Sequence, residues 1–208
     1  ATGTIANDDI DPATAPQTLV LTTSVDNVLG AAGNDTITAI LGQGATWTAL
    51  DVINGGAGSD TMNVLDVTGA SGAPAGTQVT SVETINVRSA GDVGAGQGGE
   101  FDVSDFAGLT NLNVTQATNV FVTAGDDTAV SVSGATDSTT LAGGASQTVT
   151  SGTAVTASGS VGAVTVSGVN GNIDIDDGTS VTVTDAKADT NITIGHQAGP
   201  SGAVIVTD

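Results

Sequence analysis

One spacing, present twice, narrows the possible folds more than anything else in this chain. Asp26-Asn-Val-Leu-Gly-Ala-Ala-Gly-Asn-Asp35-Thr-Ile is the first copy, and Asp51-Val-Ile-Asn-Gly-Gly-Ala-Gly-Ser-Asp60-Thr-Met is the second. Both fit D-x-U-x-G-x-x-G-x-D-x-U, where U is a large apolar residue. Glycine tolerates positive φ and leaves neighbouring carbonyls uncovered, so the central stretch reads as a tight turn. The apolar residue two places after each second aspartate opens a short strand with its side chain turned inward. The aspartate itself supplies a hard anionic oxygen, the ligand type that Ca²⁺ prefers.

A second regularity begins at Val82. Apolar residues come in i, i+2 pairs: Ile85/Val87, Leu112/Val114, Val120/Val122, Val130/Val132, Val164/Val166, Ile173/Ile175, Val181/Val183, Ile192/Ile194 and Val204/Val206. Alternation with period two makes each pair one short strand facing one core. The pattern is faint from Gly134 to Gly159, where only single residues such as Leu141, Val149 and Val155 stand out. Short strands at this spacing fit a β-sandwich or a β-solenoid. A sandwich core normally uses bulky, often aromatic residues, whereas this chain has three phenylalanines, one tryptophan and no tyrosine. The expected fold is therefore all-β, a parallel β-roll or β-solenoid, with a β-sandwich as the alternative.

Charge and composition exclude several functions. Among 208 residues, 22 are acidic and 2 basic, for a formal charge of −20. Nothing is present to neutralise phosphates, so nucleic acid is not an expected partner. Self-repulsion of this size destabilises a compact state unless cations are bound. Cysteine is absent, which removes disulfides and thiolate metal sites. No apolar run approaches the roughly 20 residues of a membrane-spanning helix, so no membrane insertion is expected. No signal peptide is visible, and the chain opens without methionine, as a piece of a larger protein would.

The paired nonapeptides resemble the glycine-aspartate repeats of calcium-binding parallel β-rolls. The run Ser81-Val-Glu-Thr-Ile-Asn-Val87, which follows the second copy, extends the likeness. It is similar to bacterial surface-layer proteins and to giant repeats-in-toxin (RTX) proteins exported by type I secretion, where nonapeptide turns precede a long Thr/Val/Ala/Gly-rich solenoid. Many such rolls carry tandem nonapeptides, while here two pairs are split by an insert, Ala39 to Leu50, that holds Trp47. Ala1 to Asp9, a short strand followed by acids, resembles the closing strand of Calx-β domains. The implied organisation is a Calx-β-like tail and linker over 1–16, a nonapeptide segment over 17–78 and a β-solenoid over 79–208.

The resemblance also implies a ligand set. Asp26, Asp35, Asp51 and Asp60 would bind Ca²⁺ through carboxylates, and Gly30, Ala32, Asn34, Gly55, Ala57 and Ser59 through backbone oxygens. Asp174 and Asp176 lie on one face of a strand with Asn172 beside them, and read either as a second calcium site or as a solvated strand face. Catalysis is not expected. His196 stands in a Gly/Pro loop without an evident serine partner, and nothing in the sequence places Glu83 and Glu100 together as a glycosidase pair. Thr-x-Thr pairs such as Thr182/Thr184 raise an ice-binding face, but threonine alternates with Ser, Asn and Asp. The expected role is a calcium-dependent structural segment of a secreted bacterial cell-surface protein, foremost a surface-layer protein that self-associates through its parent. The alternative is a stiff spacer of a large RTX adhesin.

Overall fold

The computed structural model describes residues 14–69, 71–94, 99–187 and 190–207. The Calx-β-like stretch Ala1 to Asp9 lies outside the described residues. Within them the protein is all-β, with no helix, and every strand pairing is parallel. Parallel neighbours need a connection that returns the chain to its starting end. Here the return is itself a strand on another face, which makes a β-solenoid and excludes the antiparallel sandwich.

One ten-stranded sheet runs the length of the molecule, from Thr18–Val20 to Val204–Thr207. A three-stranded sheet (Asn27–Leu29, Val52–Asn54, Gln78–Thr80) faces its early coils. A six-stranded sheet, from Phe101–Asp102 to Ile192–Ile194, faces the later ones. Coil length changes with this exchange. Thr36 pairs with Thr61, Thr61 with Thr84 and Thr84 with Asn111, advances of 25, 23 and 27 residues. Further on, Gln147 pairs with Val164 and Val164 with Val181, a coil of 17.

The additional residues of the early coils bring Trp47, Thr77, Phe101 and Phe106 together. Trp47 of the insert is buried, donates from Nε1 to Thr77 Oγ1 at 2.9 Å, and meets the Phe101 ring edge-on with centroids 6.0 Å apart. The Phe106 ring lies 6.1 Å away on a tilt. These aromatic rings fill the width that a two-sheet coil of small residues would leave empty.

The core is thin because each strand sends only alternate residues inward. On the long sheet, Ile37, Met62, Ile85, Leu112, Val130, Val164 and Val181 share one buried column, and Ala39, Val64, Val87, Val114, Val132, Val149, Val166 and Val183 the other. Each large aliphatic member contributes about 1.5–3 kcal/mol by leaving water. Gln147 interrupts the first column, which explains the faint pattern near it. Its Nε2 donates to Gly143 O at 2.7 Å and Ser158 O at 3.0 Å, carbonyls at a corner of the coil. On the facing strand Thr139 takes an inward place, so the sequence there looks polar although the strands are regular.

The outer face adds its own register lock. Asn86 Nδ2 donates to Asn63 Oδ1, and Asn113 Nδ2 to Asn86 Oδ1, each at 3.0 Å. This asparagine ladder favours one alignment of three coils, because a slip by one residue would turn every asparagine into the core.

Candidate metal centre

Both nonapeptide turns join a strand of the short sheet to a strand of the long one. Asn27–Leu29 leads through 30–35 into Thr36–Leu41, and Val52–Asn54 leads through 55–60 into Thr61–Asp66. The turns stack one coil apart. Gly30 N–H donates to Asn54 O at 2.8 Å, Ala57 N–H to Ala31 O at 3.1 Å, and Ser59 N–H to Asn34 Oδ1 at 2.9 Å.

Close approach is the main reason these positions are glycine. A Cβ at Gly30 would overlap the Gly55 carbonyl oxygen, and one at Gly55 would overlap that of Ser81. Positive φ is used only in the second copy, at Gly56 (97°) and Gly58 (133°). The carbonyls directed between coils are those of Gly30, Ala31, Gly33, Gly55 and Ser81. Ala32, Asn34, Ala57 and Ser59 lie on the exposed limb of their turns.

The four motif aspartates do not converge on one point. They form two ladders in which a carboxylate accepts a backbone N–H from the coil below. Asp35 Oδ1 accepts from Gln17 N at 2.7 Å, Asp60 Oδ1 from Asp35 N at 2.6 Å, and Glu83 Oε2 from Asp60 N at 2.7 Å. In the second ladder Asp51 Oδ1 accepts from Asp26 N at 2.8 Å. Thr48 adds bonds to Asp51 from its N at 2.7 Å and its Oγ1 at 3.0 Å. Asp26, on the rim, is held by Thr22 through N at 2.7 Å and Oγ1 at 2.9 Å. Charge-assisted bonds of this kind contribute about 1.5–3 kcal/mol each.

One oxygen breaks the pattern. Asp35, Asp51 and Asp60 are each at most 1 % exposed. Both oxygens of Asp35 and Asp51 have donors, Asp35 Oδ2 taking Ala31 N–H at 2.6 Å. Asp60 Oδ2 is buried with no hydrogen-bond partner. Burial raises the Asp60 pKa above its ordinary 3.8; the bond from Asp35 N–H opposes this, and the charges of Glu83 and Asp35 add to it. A buried, unpaired carboxylate oxygen beside inter-coil carbonyls fits a hard cation, since every atom offered is oxygen. The crowding at Gly55 marks the same place, because Ser81 O and Asp60 Oδ2 converge where its Cβ would stand.

The remaining acids are arranged differently. Asp174 lies on the outer face between Thr156 and Thr193, with its Oδ1 unpartnered, and Asp176 Oδ1 accepts from Gln197 N at 2.9 Å. Among the described residues no three acidic or histidine side chains gather in a metal-sized group. Any cation would therefore be held by one or two carboxylates completed by carbonyls.

Two acids of structural weight, Glu83 and Asp66, were not among the expected ligands. Glu83 continues the ladder, and its signal was the recurrence Asp35-Thr-Ile-Thr, Asp60-Thr-Met-Asn, Glu83-Thr-Ile-Asn. Asp66 closes the loop after its strand, Oδ1 accepting from Thr68 N at 3.0 Å and Gly69 N at 2.9 Å, and Oδ2 from Ser71 N at 3.1 Å. Burial alone would raise the Asp66 pKa, but these donors outweigh it and the pKa is lowered. An Asp-x-Thr-Gly segment after a strand was the cue. No family model and no curated protein matches the chain.

Proposed function

We propose that this chain is a calcium-dependent structural segment of a secreted bacterial cell-surface protein, with a surface-layer protein as the first reading. The observation that carries it is the Asp60 carboxylate oxygen, buried without a donor in a glycine turn lined by carbonyls. The −20 charge supports the same reading, because stacked acids one coil apart repel unless a cation lies among them. The use of these acids as acceptors for backbone N–H groups supports a structural role. Export by type I secretion into a calcium-rich medium, and self-association through the parent protein, belong to this proposal. A stiff spacer of a large RTX adhesin is the second reading. It is favoured by the unbroken ten-stranded sheet, a body roughly 45 Å long at the usual strand spacing.

Thermal unfolding in calcium, in chelator, and in chelator with added sodium chloride tests the calcium dependence. At a hundredfold excess over its dissociation constant one ion stabilises by about 2.7 kcal/mol. At about 2–4 °C per kcal/mol, chelation lowers Tm by about 5–10 °C. Salt screens diffuse repulsion but does not replace a coordinated ion. Full recovery of Tm by sodium chloride alone would rule the site out. Electron microscopy then separates the two readings, ordered arrays supporting a surface layer and isolated rods a spacer.

A further inference from the structure

The two glycine turns share a backbone scaffold yet leave their aspartates in different states, and one side chain accounts for the difference. Ahead of the first turn stands Leu29, which has no acceptor. The Ala31 N–H therefore turns onto Asp35 Oδ2 at 2.6 Å. In the long-coil register Leu29 pairs with Asn54. Asn54 Oδ1 takes the equivalent N–H of the second turn, that of Gly56, at 2.9 Å. Asp60 Oδ2 is left with no donor.

What surrounds that oxygen is more oxygen. Ser81 O meets it at the point a Cβ on Gly55 would fill. Ser81 holds a φ of 51°, a conformation that non-glycine residues seldom adopt, and its carbonyl faces Gly55 in that state. Glu83, half-buried two residues later, binds Asp60 N–H through Oε2 and so sets a second negative charge beside the Asp60 carboxylate. Of the chain's two basic residues, Arg88 is bonded to Gln116 at 2.9 Å on the outer face, and Lys187 follows the strand Ser180–Thr184 far along the chain. Two neighbouring carboxylates, one with an unpaired buried oxygen against a carbonyl, call for a cation that the protein does not itself supply.

We infer that Asp60 Oδ2, Glu83 and the Ser81 carbonyl form one inter-coil site for a hard divalent cation, that Asn54 keeps it open by diverting the Gly56 N–H, and that the first turn is closed to cations. The inference rests on the calcium reading above and narrows it to one turn. Glu83 lies outside the nonapeptide, so the site is completed by the coil that follows the motif. Asn54 is a positioning residue, acting through the hydrogen bond it removes from Asp60.

Calorimetric titration of the full chain with calcium chloride, beside melting curves in chelator, tests this. Asn54→Leu turns the second turn into a copy of the first. Its calcium affinity should fall at least about tenfold, while its Tm in chelator equals or exceeds that of the parent, because Asp60 Oδ2 regains a donor. Loss of a merely structural residue would lower Tm in both conditions. Asn54→Asp keeps the acceptor for Gly56 N–H and should retain binding. Glu83→Gln keeps an oxygen for Asp60 N–H but removes the charge, and should also weaken calcium about tenfold. Parent-level affinity in Asn54→Leu or in Glu83→Gln overturns the assignment while leaving a calcium protein. A folded parent chain that binds no calcium overturns the calcium reading and this assignment together.

Discussion

Asp60→Asn should change sign with calcium. The substitution keeps an oxygen for Asp35 N–H, now at 2.6 Å from a charged acceptor, and replaces the orphaned Oδ2 with an amide group. Leaving a buried acceptor unsatisfied costs about 1–3 kcal/mol, more when it is charged. The amide removes that cost, and its N–H points toward the crowded Ser81 carbonyl. Against this, the bond to Asp35 N–H loses its charge assistance, worth about 1 kcal/mol. In chelator the variant should therefore be more stable by about 1 kcal/mol, or about 2–4 °C in Tm. With calcium at a hundred times its dissociation constant the parent gains about 2.7 kcal/mol that the variant forgoes. The order then reverses, with the variant about 2 kcal/mol less stable. Urea melts across a calcium series should show the two stabilities crossing, at equal m-values. Parallel lines with the variant below the parent at every calcium level would refute the reasoning, since they would mean that Oδ2 has a partner within the protein.

Asp35→Ala tests the ladder apart from any ion. It strips the acceptor from Gln17 N–H and from Ala31 N–H, and should cost about 3–5 kcal/mol in chelator, read from the urea midpoint; a loss under about 0.5 kcal/mol would mean the ladder is ornamental. The pH dependence of the ion-free chain follows from two opposite shifts. The folded pKa of Asp60 is raised, so its stabilising contribution is fully present below about 3.8 and is lost as pH rises through the folded value. The Asp60→Asn advantage in chelator should accordingly shrink on acidification from neutral pH, and widening would contradict it. Asp66 behaves in reverse: its folded pKa is lowered, so its contribution is present above 3.8 and lost as pH falls through the folded value. Asp66→Asn should then be destabilising at neutral pH and progressively less so in acid melts.

Strand existence was legible because alternation is local. Ile85/Val87 or Val181/Val183 face the core whatever coil lies beside them, and the scarcity of aromatic residues already favoured a thin core. The faint stretch hid strands because Thr139 and Gln147 stand where valine is expected; Gln147 Nε2 finds carbonyl acceptors inside, while Thr139 Oγ1 is buried without a partner. Trp47 showed no periodicity at all, since its partners Thr77, Phe101 and Phe106 come from other coils.

The sequence by itself determined the strand-and-turn grammar: all-β, small inward residues, glycine turns, and aspartates at fixed places beside them. Those properties depend on neighbours within a few residues, and the side-chain period of a strand makes them unambiguous. Only the tertiary structure decided the coil lengths, the exchange of one facing sheet for another, and the fate of each carboxylate. Asp35 and Asp60 are equivalent in the motif, yet one is saturated and the other is not. That difference arises from Leu29 and Asn54, paired one coil apart, because Asn54 takes the N–H that would otherwise reach the aspartate. A hydrogen bond between coils depends on register across some 25 residues, and no local pattern carries that information, because the partner of every buried oxygen is chosen by stacking.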